Sequence, residues 1–146
     1  MGCREVFIYI MNYIGIVGSS KAIVDDVAVS ICSILDTYNP QDTTIVSGGA
    51  DGVDNIAVGI ARLQGYNILE YKPSKINGVY QRGWQYYRER NLMIANKCDK
   101  VYSIALPLNN GKRCYHCAKV GLDDNHYKTA GCWTAQRCKE FEVVVA

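Results

Sequence analysis

The chain has 146 residues, a formal net charge of +2 and 49% hydrophobic residues. A chain of this length has the size of one typical domain, and it can bury a core without disulfides. The small and dispersed net charge gives no support to a dedicated nucleic-acid-binding protein, which usually concentrates lysine and arginine on one surface. An apolar stretch at Val6–Val17 is too short to cross a bilayer and lacks the flanks of a signal peptide. We therefore expect a cytoplasmic protein without a membrane partner.

Short β-branched and apolar segments alternate with longer amphipathic segments through the first half of the chain. The apolar residues of the longer segments recur at helical spacing, whereas the short segments have the composition of buried strands. The predicted order is strand Tyr13–Val17, helix Lys21–Tyr38, strand Thr43–Val46, helix Val53–Gln64 and strand Asn67–Tyr71. Ser19 or Ser20 is a suitable N-cap for the first helix, and Gly65 is a suitable C-cap for the second.

The second half continues this alternation with one interruption. The predicted elements are a loop at Pro73–Tyr80, a helix at Gln81–Asn96, a strand at Lys100–Ala105, an irregular segment at Leu108–Ala130, a short helix at Gly131–Lys139 and a strand at Phe141–Val145. Trp84 and Tyr87 are expected on the core face of the third helix. Strands that alternate with helices imply βαβ units and a parallel sheet. We predict one Rossmann-like, doubly wound α/β domain over residues 1–146, with a small insertion at 108–132.

Two glycine-rich turns fall where a strand meets a helix. The first is Gly15–Ser20, and the second is Ser47–Asp54, which reads Ser-Gly-Gly-Ala-Asp-Gly-Val-Asp. Glycine lets the backbone approach a ligand closely, and the N-terminus of the following helix favours a phosphate. In open α/β sheets, two such turns converge on one crevice. The alternative is that the glycines only make tight connections, and Asp54 either caps its helix or binds a ribose hydroxyl.

Further motifs follow these turns in a recognisable order. Glu-Arg-Asn-Leu-Met occupies 89–93, and Ile-Ala-Leu-Pro occupies 104–107. Together with the Gly-Ser-Ser and Ser-Gly-Gly turns, this order resembles the SLOG superfamily, which includes the DNA-processing protein A fold and the Lonely-guy phosphoribohydrolases. The resemblance covers about residues 13–106 and resumes near Gly131, and it implies a doubly wound sheet with a nucleotide-derived ligand. The ligand-binding residues predicted from the turns and the resemblance are Gly18, Ser19, Ser20, Ser47, Gly48, Gly49, Asp54, Arg90, Asn91, Gly131 and Thr134.

The sequence departs from the phosphoribohydrolase pattern at one position. Those enzymes carry Pro-Gly-Gly-x-Gly-Thr-x-x-Glu after the Ala-Leu-Pro strand, and they need the glutamate. Here Gly131 and Thr134 match the pattern, but Arg137 occupies the place of the acid. Cleavage of a glycosidic bond requires a carboxylate, which Glu89 or Asp54 would have to supply. The sequence therefore favours a binding or sensing protein over a nucleotide-processing hydrolase. For Arg90, the alternative to a phosphate contact is a solvated helix face.

Four of the seven cysteines and both histidines crowd into one stretch. The spacing C-x2-C-x8-H-x5-C is typical of a structural Cys3His zinc site. Because the segment has few large apolar residues, a metal would be needed to order it. A redox pair, or reduced thiols without a metal, are the alternatives. His116 or Cys138 could also replace a ligand in the predicted metal set, which is Cys114, Cys117, His126 and Cys132.

Three kinds of partner follow from these motifs. The first is a nucleotide-derived small molecule in the crevice. The second, which we favour less, is single-stranded nucleic acid stacked on the zinc loop, through Tyr115, Lys119, Tyr127, Lys128 and Trp133. The third is a second copy of the chain, because Trp, Tyr and Arg, which the third helix carries, are enriched at interfaces. Related folds often dimerise through helices next to the site, so a homodimer is expected.

Overall fold

A computed structural model describes residues 11–146 of the protein, so the first part of the Val6–Val17 stretch lies outside the described residues. The elements in chain order are β1 (Asn12–Gly18), α1 (Val24–Asp36), β2 (Thr43–Ser47), α2 (Val53–Leu63), β3 (Asn67–Glu70), β4 (Lys75–Ile76), β5 (Val79–Tyr80), α3 (Trp84–Lys97), β6 (Lys100–Ala105), α4 (Tyr115–Lys119), α5 (Ala130–Gln136) and β7 (Phe141–Val145). Within residues 11–146, every helix is too short or too polar to span a membrane.

Five strands form the central sheet in the order β3-β2-β1-β6-β7. All of the neighbouring pairs in this sheet are parallel, which confirms the predicted Rossmann-like α/β class. The chain runs outward from β1 to β3 and then crosses back to β6, so the direction of winding reverses between β1 and β6. Ligands of such sheets bind outside the carboxyl ends of the strands at this switch point.

Helices cover both faces of the sheet. On one face, α1 and α2 bury Ile31 and Ala57 against the inner strands. On the other face, α3 and α5 bury Ile94 and Ala135. Because both faces are covered, β2 is buried at every position and β1 is buried at its four central positions, without the alternation of a half-exposed sheet. The two helical layers leave the carboxyl ends of the strands as the open edge of the molecule.

The first helix begins three residues later than predicted, and its predicted serine caps are wrong. Ile23 occupies the N-cap position and donates its N–H to Asp26 Oδ2 at 3.3 Å. Ser19 Oγ instead accepts the N–H of Lys21 at 3.3 Å, which stabilises the turn between β1 and α1. Neither Ser19 nor Ser20 is therefore needed by the helix, and both remain part of the turn.

The end of α2 follows the prediction. Gly65 has a φ of 85°, which favours glycine over residues with a side chain. The Gly65 N–H donates to Arg62 O at 3.1 Å, and the Tyr66 N–H donates to Ala61 O at 3.0 Å. These two bonds form a Schellman motif and confirm Gly65 as the glycine that ends the helix.

The predicted start of the third helix is wrong, and so is the core position of its first aromatic residue. Part of the predicted loop forms the β4–β5 hairpin, and α3 begins at Trp84, after Gly83 with a φ of 122°. Trp84 is 47% exposed, and Tyr87 is only half-buried. The buried residues of α3 are Arg90, Asn91, Ile94 and Ala95. The two polar side chains can be buried because they form hydrogen bonds inside the protein.

The insertion lies between β6 and α5 and contains the short helix α4. Isolated bridges pair Pro107 with His126 and Arg113 with Tyr127. Its only buried cluster in the described chain consists of three cysteines packed against Val143 of β7. The insertion therefore has no aliphatic core of its own, and side-chain chemistry must hold it together.

Candidate functional site

A crevice of about 1270 Å³ opens beyond the carboxyl ends of β1 and β2, beside the switch point. It gathers all but one of the predicted ligand-binding residues: Gly18, Ser19, Ser20, Gly48, Gly49, Asp54, Arg90, Asn91, Gly131 and Thr134. Ser47 is fully buried at the end of β2, and its Oγ accepts the N–H of Gly49 at 3.1 Å. Ser47 therefore shapes the second turn without lining the crevice.

Several glycines of the crevice are required by close backbone packing. A Cβ on Gly18 would overlap the carbonyl oxygen of Ile104, and one on Gly131 would lie 2.7 Å from Gly18 Cα. A Cβ on Gly48 would lie 2.6 Å from Nη1 of Arg90. The glycines therefore bring β1, β6, α3 and the start of α5 into direct contact. Tight packing explains part of the glycine pattern whether or not a ligand binds.

Asp54 connects the two glycine turns. The N-cap position of α2 is Gly52, and no side-chain hydrogen bond caps this helix, so the helix-cap alternative for Asp54 is wrong. Its Oδ2 accepts the N–H of Gly48 at 3.2 Å. Burial raises the pKa of Asp54 to about 6, although the charge of Arg90 and three backbone amides favour the ionised form. A buried carboxyl that titrates near neutrality thus lines the crevice.

Arg90 is fixed in the crevice wall by its hydrogen bonds. It is only 8% exposed; its Nη1 donates to Gly48 O at 2.8 Å and its Nε donates to Asn91 Oδ1 at 2.8 Å. The guanidinium also lies 5.5 Å from the centre of the Tyr87 ring, and burial lowers the pKa of Arg90. The alternative of a solvated helix face is therefore wrong for Arg90.

The fold gathers cations that are scattered in the sequence. Of the 16 lysines and arginines in the chain, six line the crevice, whereas of its 14 acids only Asp51 and Asp54 do so within the described residues. The six cations are Lys21, Lys72, Arg82, Arg90, Lys112 and Lys128. Four aromatic rings, of Tyr80, Trp84, Tyr87 and Tyr127, line the same crevice. This concentration is not visible in the sequence, because its members belong to separate segments.

The acid that the phosphoribohydrolase pattern requires has no counterpart on α5. Arg137 lies with its guanidinium carbon 4.1 Å from the centre of the Trp133 ring, and its Nη1 donates to Trp133 O at 3.2 Å. Glu89 is exposed and lies outside the crevice lining. Within residues 11–146, Asp51 and Asp54 are therefore the two acids that could supply a carboxylate in the crevice.

The insertion brings four potential metal ligands together. Cys114, Cys117, His126 and Cys132 are all buried, and their ligand atoms lie within 4.8 Å of one another. Cys114 precedes α4, and Cys117 lies within it, so one helical turn aims both thiols at the same point. Cys132 comes from α5. This cluster could hold a metal ion, as the spacing of the sequence predicts.

The hydrogen bonds of His126 leave one ring nitrogen for the cluster. Its Nδ1 lies 3.1 Å from the carbonyl oxygen of Tyr127, which can only accept, so Nδ1 carries the proton. Nε2 then has a free lone pair. Among the residues that the structure describes, Nε2 is the one buried side-chain nitrogen or oxygen without a hydrogen-bond partner. A metal bound by Nε2 would satisfy it, with the other nitrogen oriented by a carbonyl as in many metal sites.

The two alternative ligands lie outside the cluster. Cys138 belongs to the core between α3, α5 and the sheet, where its Sγ donates to Cys98 O at 3.3 Å. His116 faces Tyr115, with their ring centres 4.1 Å apart. The substitutions of His116 for His126 and of Cys138 for Cys132 are therefore wrong.

The cluster thiols lack the environment of redox cysteines. Burial raises the pKa of Cys117 to about 11, and burial also raises the pKa of Cys132. Reactive cysteines have lowered pKa values, because the thiolate is the nucleophile. The raised pKa values of these buried thiols therefore argue against a redox pair, and a bound metal would have to supply the positive charge that deprotonates them.

No protein-family model, curated protein or solved structure matches this chain. The resemblance to the SLOG superfamily rests on sequence motifs and stays a prediction. The crevice and the cysteine–histidine cluster are therefore interpreted from their own geometry and charge.

Proposed function

We propose that the protein binds a nucleotide or nucleotide-derived ligand in the crevice, as a sensor or binding protein. The observation that carries this proposal is the meeting of six cations and four aromatic rings at the switch point of a parallel sheet. Phosphate groups require positive charge, and bases stack on aromatic rings. A ligand that combines phosphate with a flat base matches both halves of this chemistry.

The contacts suggest a division of roles within the crevice. Arg90 and the Ser47–Asp54 turn form the inner end, where the guanidinium is held against Gly48 O. Arg82 and Lys112 are exposed at the rim, where they can meet a phosphate without losing existing hydrogen bonds. The exposed ring of Trp84 offers a surface for a base.

Thermal unfolding in the presence of AMP, NAD, ADP-ribose and cyclic nucleotides tests the proposal. At a ligand concentration of 100 times Kd, binding stabilises the folded state by about 2.7 kcal/mol, and one of these compounds should raise Tm accordingly. Arg82→Ala and Lys112→Ala should reduce the increase. Lys139→Ala, an exposed cation outside the crevice, is the control and should not. An unchanged Tm with every compound would overturn the proposal.

A hydrolase acting on such a ligand is the second candidate. It is favoured by Asp54, because a buried carboxyl with a pKa of about 6 can exchange a proton near neutrality. Product analysis of any ligand that stabilises the protein separates the two candidates. Release of free base or phosphate that disappears in Asp54→Asn indicates the enzyme, and a ligand recovered intact indicates the sensor.

We also infer that the cysteine–histidine cluster binds structural zinc. Three thiolates and one imidazole suit the tetrahedral preference of zinc, and four protein ligands leave no open position for catalysis. Metal analysis should find one zinc per chain, reduced by His126→Ala. The matched variant His116→Ala should keep its zinc, because its ring faces Tyr115. Equal zinc content in the two variants would contradict the assignment.

A further inference from the structure

A second hollow of about 470 Å³ lies beside the crevice, between α3, α4 and α5. Its lining includes three cations, Lys119, Lys128 and Arg137, and no acid within the described residues. It also includes the rings of Tyr115 and Trp133. Tyr115 is 44% exposed, and the ammonium groups of Lys119 and Lys128 lie 5.2 Å and 5.0 Å from the centre of its ring. Like the larger crevice, the hollow is therefore lined by cations and aromatic rings.

The hollow and the crevice form one continuous surface. Trp84, Lys128 and Ala130 line both of them. Trp84 contacts Trp133 edge to face, with ring centres 4.9 Å apart. The boundary between the two spaces is thus formed in part by the Trp84 ring and by Lys128.

We propose that the ligand carries two nucleosides joined through phosphate, with the first base in the crevice and the second in the hollow. This inference rests on the proposed function. The crevice alone is larger than a typical small-molecule pocket, which has a volume of roughly 300–1,000 Å³. Lys128 lines both spaces, so it lies where a linking phosphate would pass from one to the other. The second base lies against Tyr115, and Arg137 supplies positive charge beside it. The same chemistry is presented by a free dinucleotide and by the end of a single strand.

Isothermal titration with two matched sets of compounds tests the inference. The first set is the four nucleoside monophosphates AMP, GMP, CMP and UMP, and the second is the four corresponding 5′-phosphorylated homodinucleotides. Stacking of one further base should lower Kd about tenfold to about a hundredfold for the dinucleotide of the best-bound base. An eight-residue strand of that base separates the two sources, because only a strand-binding protein gains further affinity from the added length.

Two variants locate the second base. Tyr115→Ala and Arg137→Ala should remove most of the advantage of the dinucleotide and leave the Kd of the monophosphate unchanged. Lys139→Ala should keep the advantage, and zinc content and Tm show that each variant is folded. Equal affinities for the two sets, or an advantage that survives in both hollow variants, would overturn the inference while leaving the crevice proposal intact. Failure of all of these mono- and dinucleotides to bind would overturn this inference, whereas the crevice proposal is decided separately by the thermal-unfolding test with NAD, ADP-ribose and cyclic nucleotides.

Discussion

The crevice has two walls that are built in different ways. The first wall consists of the turns after β1 and β2, and it continues from strands whose residues are mostly buried. The second wall consists of the insertion and the start of α5, and its inner support is three cysteines and His126. The first wall is positioned by a parallel sheet with two covered faces. The second is positioned by a small polar cluster.

The two walls therefore depend on different interactions: the first on backbone packing and the second on the cysteine–histidine cluster. Backbone packing fixes the first wall, since a side chain at Gly18 would overlap Ile104 O. The second wall supplies Lys112, Tyr127 and Lys128 to the crevice, and we expect it to be stable only when the cluster binds a metal. A metal that does not touch the ligand would therefore still control its affinity.

Metal removal is expected to have the largest effect, and to act on the second wall alone. Structural zinc contributes roughly 10 kcal/mol or more to the folding of small zinc domains, so a chelator should lower the free energy of local unfolding of the insertion by several kcal/mol. Hydrogen exchange should accelerate at 108–132 and stay slow in β1 and β2. The affinity for the ligand should fall when the metal is removed. Uniform acceleration across the sheet, or an unchanged ligand Kd, would contradict the separation of the walls.

The pH dependence of stability is expected to report on the first wall through Asp54. Its pKa is about 6 in the folded protein, against an ordinary value of 3.8, so the folded state binds the proton more tightly. This contribution is present below about pH 4 and is lost as the pH rises through 6, by at most about 3 kcal/mol.

Denaturant unfolding between pH 4 and pH 7 checks this expectation. Asp54→Asn should flatten the decline in stability with rising pH, because the amide does not titrate. Asp51→Asn is the matched control, since Asp51 lines the same crevice but is exposed, and it should keep the wild-type profile. Parallel profiles for the wild type and Asp54→Asn would show that Asp54 does not cause the dependence.

The contact between the two walls is expected to be sensitive to a single methyl group. In Gly131→Ala, the new Cβ would lie 2.7 Å from Gly18 Cα and 2.8 Å from Gly18 N, and overpacking of this kind costs about 1–3 kcal/mol. Gly59→Ala is the control, because no atom beyond the neighbouring backbone of its own helix lies within 4 Å of its Cβ position. In the interior of α2 it should stabilise by about 0.5–1 kcal/mol. Equal effects in the two variants would refute the packing role of Gly131.

The sequence predicted the first wall well, because hydrophobic periodicity and turn residues are local signals. The parallel sheet and Gly65 follow from such signals, whereas the role of Asp54 depends on its contact with Gly48, which the turn pattern does not specify. The core face of α3 was mispredicted because Arg90 and Asn91 satisfy each other inside the protein.

The metal cluster of the second wall was predicted because side-chain chemistry dictates the spacing of its ligands. The C-x2-C pattern identified Cys114 and Cys117. Whether His116 or His126 joins them is decided by the tertiary structure, which brings His126 next to the thiols. The crevice cations share no local pattern, so their meeting required the topology. The homodimer stays a prediction, and light scattering of the purified protein would test it.

The edge-to-face contact of Trp84 and Trp133 provides an intrinsic spectroscopic probe of the protein. These are the only tryptophans in the chain, one belongs to α3 and the other to α5, and their ring centres are 4.9 Å apart. At this distance their electronic transitions interact, so near-ultraviolet circular dichroism depends on their mutual angle. A rotation of α5 relative to α3 would therefore be visible in the unlabelled protein.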